Sequence, residues 1–129
     1  MTEPYTLVIR SDAAELRTAR QFVGKAFESW GIDPYLGQLV ITELVTNTIK
    51  HTDVNEMIAR VYLADAGPVV EVEDASPVMP VICALTTDSS SGRGLAMIQI
   101  LAADLGWNAC ASGGKTVYAV LPGRPDDHF

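Results

Sequence analysis

The segment VITELVTNTIKHT, Val40 to Thr52, sets a carboxylate, an amide and an imidazole four residues apart: Glu43, Asn47 and His51, with Lys50 beside the last. A helix turns about 100° per residue, so residues four apart share one face. The three form a slowly drifting polar stripe that borders the apolar positions rather than opposing them. Asparagine is a poor helix former in a helix interior, which suggests that Asn47 is there for a task. One such task is magnesium binding. Mg2+ takes oxygen ligands, keeps several waters and often has one or two protein ligands plus phosphate oxygens. Glu43, one turn earlier, could orient or deprotonate an attacking hydroxyl as a general base. A solvated helix face is the competing reading of any such trio.

Three further stretches carry candidate chemistry. Asp74, in EVEDASP, stands where a strand leaves its sheet. An ionised carboxylate is a pure acceptor and could read a purine amino group. Aspartate before small residues and proline is also ordinary turn chemistry. In SSSGRGLAM, Gly92 and Gly94 bracket Arg93 immediately before a helix. Glycines let the backbone approach phosphate, and a helix N-terminus attracts anions, although the same pattern occurs in plain turns. A dinucleotide fold carries its glycine loop after the first strand. Here the loop comes late, so that fold is excluded. In GGKTVYAVLP, Thr116 alternates with Val117, which puts its hydroxyl on one strand face, in reach of Asp74 if the two strands adjoin.

The elements that must position these residues follow from periodicity and punctuation. YTLVIR reads as a strand. SDAAELRTARQFVGKAFESWG reads as a helix, capped by Ser11 or Asp12, with Glu15 placed for a capping box and Gly31 ending it. Its apolar positions Leu16, Ala19, Phe22, Val23, Ala26, Phe27 and Trp30 have helical spacing. Asp33 and Pro34 then start a second helix that runs to about His51, with Leu36, Leu39, Val40, Val45 and Ile49 as its core stripe and Leu44 at the edge. MIARVYLAD and GPVVEVED are strands joined around Asp65-Ala66-Gly67. Val70 and Val72 alternate with Glu71 and Glu73, one face buried and one wet. ASPVMPVICALTTDSSS is a long loop. GRGLAMIQILAADLG is a third helix, and WNACAS and KTVYAVLP form a last hairpin across Gly113-Gly114. Helices do not alternate one for one with strands, which argues against a doubly wound parallel sheet. The expected fold is a two-layer α/β sandwich, a mixed and mostly antiparallel sheet with three helices on one face.

The chain has 129 residues, which points to one domain over 1–129. Apolar residues make up 48%, enough for a core and against disorder. The net charge of -7 disfavours nucleic acid and anionic membrane as partners, since both need a basic face. No apolar run approaches the ~20 residues that span a bilayer, and MTEPYTLVIR lacks the pattern of a signal peptide, so a cytoplasmic protein is expected. Cys83 and Cys110 fit no zinc pairing and read as buried free thiols. His51 and His128 make no metal site.

Taken together and in this order, the segments resemble the Bergerat-fold (GHKL) ATPases, the superfamily of gyrase, the Hsp90 chaperone, histidine kinases and mismatch-repair ATPases. Within it the chain looks most like the small anti-sigma-factor serine/threonine-protein-kinase-like branch. ELVTNTIKH resembles that family's N box, VEDASP its first glycine box, SGRGLAMI its second and GGKTVYAVLP its closing strand. The likeness spans about Leu36 to Pro122, and the N-terminal strand and helix also fit.

The resemblance implies ATP and Mg2+ as cofactors. It implies that Asn47 holds Mg2+ and that Glu43 is the base towards a partner's serine or threonine. Asp74 would bind the adenine amino group with Thr116 supporting it, and Lys50, His51 and Ser76 would line the pocket. Gly92, Arg93, Gly94, Leu95 and Ala96 would meet the phosphates. The implied partners are a sigma factor and an anti-anti-sigma (STAS-type) protein, with homodimerisation common in the family. One position departs from the pattern: the family's first glycine box has glycine two residues after the aspartate, where this chain has Ser76. That departure, with a short lid loop between Pro80 and Gly92, keeps a non-enzymatic partner switch of the same fold, with weak or no ATP binding, as the alternative.

Overall fold

A computed structural model of the chain describes residues 3–77, 98–99 and 101–123. Its strands are β1 (Tyr5–Arg10), β2 (Glu56–Ala64), β3 (Gly67–Asp74), β4 (Asp104–Ala109) and β5 (Lys115–Val120). Its helices are α1 (Leu16–Ser29), entered through a short 3-10 turn at Ala13–Glu15, and α2 (Tyr35–His51). The strands form one sheet in the order β1-β2-β3-β5-β4, and every neighbouring pair is antiparallel. This is an α/β sandwich of the expected class, with a sheet that is wholly antiparallel among the described strands rather than mixed.

Local chemistry starts each helix. Asp12 accepts the Ala14 N–H at 3.0 Å, as a cap should. No capping box forms, because the Glu15 carboxylate turns instead to Arg10 Nε at 3.3 Å. Gly31, at φ 72°, ends the α1 segment. Asp33 accepts the Tyr35 N–H at 2.9 Å and starts α2 directly after Pro34.

The buried face of α2 is Gly37, Val40, Ile41, Leu44, Val45 and Thr48. Leu36, Leu39 and Ile49 are only half-buried, so the core stripe lies about one residue round from the expected one. The cause is the close approach of α1. Gly37 packs against the Phe27 ring and turns that side of α2 inward. The sheet supplies the other half of the core through Met57, Ala59, Val61, Val70, Val72, Val117 and Ala119, every second residue of each strand. Full burial stabilises each Val, Leu, Ile, Met or Phe by roughly 1.5–3 kcal/mol.

The opposite sheet face is polar, as the Val/Glu alternation of β3 requires. Arg60 pairs with Glu71 at 3.1 Å and Glu73 at 2.7 Å, and the Tyr62 hydroxyl donates to Glu71 at 3.2 Å. Partial burial opposes the Arg60 charge, but its two carboxylate partners outweigh that and hold its pKa above the ordinary value. Burial, and then the Glu71 charge, push the Tyr62 phenol up.

The third helix was expected to reach Gly106. Ile98, Gln99 and Leu101 are helical, and Ile98 is buried in the core, but Asp104, Leu105 and Gly106 already belong to β4. Six successive pairings with β5, from Asp104–Val120 to Ala109–Lys115, override the helical spacing of that stretch. Among the described residues no helix is long and apolar enough to cross a membrane. Cys110 is a half-buried free thiol; Cys83 and His128 lie outside the described residues.

Candidate functional site

The end of α2 and the exit of β3 face each other. Along α2, Glu43 and Asn47 are half-buried at the border of the helix's buried arc. The stripe drifts with the 3.6-residue period, and His51, two turns on from Glu43, is half-buried as well. Its Nε2 is closed off from solvent and has no hydrogen-bond partner among the described residues. Lys50 is exposed. It follows Thr48 by about 200° of helix rotation, which turns it away from the sheet and out of the pocket that it was expected to line.

Strand alternation places Val70, Val72 and Asp74 of β3 on the core face. Two hydrogen bonds then fix how the chain leaves the sheet. Ser76 N–H donates to Asp74 Oδ1 at 2.8 Å, the aspartate turn expected of this sequence. Lys115 Nζ donates to both Asp74 oxygens, each at 3.0 Å, and lies 3.5 Å from the Ser76 carbonyl oxygen. The Asp74 side chain has 0% exposed surface and that of Lys115 has 5%, so this is a buried ion pair.

Thr116 was expected beside Asp74, and the register forbids it. Asp74 is paired with Lys115, whereas Thr116 is paired with Glu73 on the other face. There its hydroxyl lies 3.5 Å from Cys110 Sγ. Sequence reasoning therefore missed Lys115. The signal was present: Val117 and Ala119 are the buried residues of β5, and Lys115 shares their parity. Gly114 makes the close pairing possible. A Cβ there would stand 2.1 Å from the Asp74 carbonyl oxygen and 2.8 Å from Ala75 Cα.

Between the end of α2 and the turn after β3 lies a cavity of about 360 Å³, lined by His51, Thr52, Asp53, Val54, Ser76 and Pro77. It brings His51 and Ser76 together, and Asp74 and Lys115 do not line it. A larger depression of about 830 Å³ reaches Asp74 from the strand ends, past Val8, Arg10, Ile58 and Glu73, but none of the α2 stripe lines it. Gly92, Arg93, Gly94, Leu95 and Ala96 lie outside the described residues.

The family model of the histidine kinase-like ATPase domain matches residues 9–121, from the end of β1 to the residue after β5. The chain belongs to that family. No curated protein matches it. As a histidine kinase-like ATPase domain the chain has ATP as its implied ligand, usually with Mg2+. At one end the described residues supply the right type of donor: Asn47 carries an oxygen of the kind Mg2+ accepts, although it lines neither cavity, and His51, one helical turn on, has a buried, unpartnered Nε2 and lines the smaller one. At the other end they do not fit: the carboxylate that would read the base is already held by Lys115.

Proposed function

We propose that this ATPase domain is a regulator of the anti-sigma type. It binds ATP with Mg2+, phosphorylates a serine or threonine on an anti-anti-sigma protein of the STAS type, and sequesters a sigma factor in alternation with that antagonist. The observation that carries this is the pair Glu43 and Asn47. They stand one turn apart at the border of the core, inside the segment that matches the ATPase family. Asn47 holds the metal, which supplies neutralisation of charge on the phosphates when bound. Glu43 accepts the proton of the attacking hydroxyl as its oxygen bonds to the γ-phosphorus and the bond to the leaving diphosphate oxygen breaks. His51 borders the nucleotide. The net charge of -7 supports a protein partner over nucleic acid, and a homodimer is part of the proposal.

The test is transfer from labelled ATP to a STAS-type protein of the same organism, with wild type and Glu43→Ala. Labelling of a serine or threonine by the wild type, lost about 10²–10⁴-fold in the variant at unchanged ATP affinity, supports the proposal. Loss of ATP binding in Glu43→Ala would show that the residue is misassigned. The Lys115–Asp74 pair favours a second reading, a partner switch of the same fold that binds nucleotide weakly and transfers nothing. Magnesium-dependent labelling of the antagonist would exclude it.

A further inference from the structure

We propose that Lys115 is the specificity-determining residue of the base subsite, and that it closes that subsite to a 6-amino purine. The inference rests on the nucleotide reading of the cavity between α2 and the β3 exit.

An ionised carboxylate has only acceptors to offer. It reads an amino group through a lone pair that is both free and reachable. Oδ1 of Asp74 already takes the Ser76 N–H at 2.8 Å and Lys115 Nζ at 3.0 Å; Oδ2 takes Lys115 Nζ at 3.0 Å. The acceptor capacity left on Oδ2 is enclosed, because the side chain has no exposed surface. A base that reaches towards Asp74 therefore meets a neutralised ion pair instead of a bare carboxylate.

Lys115 is also held in place. Its backbone pairs with Asp74 on one side and Ala109 on the other, and Gly114 lies tight against the Asp74 carbonyl. Displacing the ammonium would strand a charge among buried groups, which a single amino group of a ligand does not offset. Nucleotide affinity then comes from the phosphate and magnesium end, and exchange of the 6-amino group for a 6-oxo group goes unnoticed. Removing the ammonium frees Oδ2 to accept from the amino group and creates a preference that the wild type lacks.

Calorimetric titration with ATP and with inosine triphosphate, both with Mg2+, tests this on wild type and Lys115→Met. Methionine keeps the length of the side chain and removes its donors. The expected result is a wild-type preference for ATP of no more than about threefold and a preference in Lys115→Met of about tenfold or more. A merely structural role for the pair would weaken both nucleotides alike and leave the ratio unmoved. A wild-type preference of tenfold or more overturns the proposal by itself, whether or not the variant folds. So does a Lys115→Met ratio equal to that of wild type. If wild type binds neither nucleotide, the nucleotide reading falls and the proposal falls with it; binding of both with a tenfold preference for ATP overturns the proposal alone.

Discussion

Lys115→Met should destabilise the domain more than any surface substitution. In the native protein the Asp74 carboxylate is fully enclosed and takes two of its three described hydrogen bonds from one ammonium, at 3.0 Å each. Methionine leaves that charge with the Ser76 N–H alone. Stranding one member of a buried ion pair costs about 3–5 kcal/mol. With a urea m-value of about 1.5 kcal/mol per molar, the midpoint should fall by about 2–3 M. A domain holds roughly 5–15 kcal/mol in total, so the loss is a large share of it. Urea unfolding followed by circular dichroism measures the shift. The double change Asp74→Asn with Lys115→Met removes both charges and should cost less than Lys115→Met alone, because nothing charged is left buried. A single variant within about 1 kcal/mol of wild type, or a double variant costing the sum of the two singles, would refute the claim that the pair is closed and mutually dependent.

Three further outcomes follow from particular contacts. Gly114→Ala sets a Cβ against the Asp74 carbonyl oxygen and should cost about 1–3 kcal/mol, read as a fall of several degrees in Tm; an unchanged Tm would mean that the hairpin start is looser than described. Thr116→Val should leave ATP affinity within about twofold and stability within about 0.5 kcal/mol, since Thr116 faces away from Asp74; loss of ATP binding would return Thr116 to the site. The Tyr62 phenol has a raised pKa in the folded state, so the unfolded chain ionises first, and the stability it contributes is present below about pH 10 and lost as pH rises further. Thermal melts of Tyr62→Phe should therefore decline less steeply than wild type above about pH 10, and equal slopes would contradict the Glu71 contact.

The sheet was legible where chemistry repeats. Val70 and Val72 alternating with Glu71 and Glu73 fixed both the strand and its faces, because a two-residue period has one solution. The α2 stripe was legible for the same reason at a period of 3.6. Its exact core face was not: leucines at 36 and 39 are more apolar than Gly37, yet the helix turned the glycine inward to let Phe27 approach. The start of β4 was hidden because LAADLG has helical spacing and its strand state comes from β5, which lies ten or more residues later. Lys115 was hidden by its own chemistry. Lysine is rarely assigned to a core face, and only knowledge that Asp74 stands opposite makes its burial sensible. Thr116 was preferred for its hydroxyl, against the parity of Val117 and Ala119.

The proposed function requires the α2 stripe and the β3 exit to form a magnesium-nucleotide site. Calorimetric titration with ATP, with and without Mg2+, on wild type and Asn47→Ala tests it most directly. Asn47 is half-buried and has no described structural partner beyond its helix, so the variant should fold. The expected result is binding that requires Mg2+ and is lost in Asn47→Ala. Absence of binding to wild type at millimolar ATP, or binding that persists unchanged in Asn47→Ala, would contradict it.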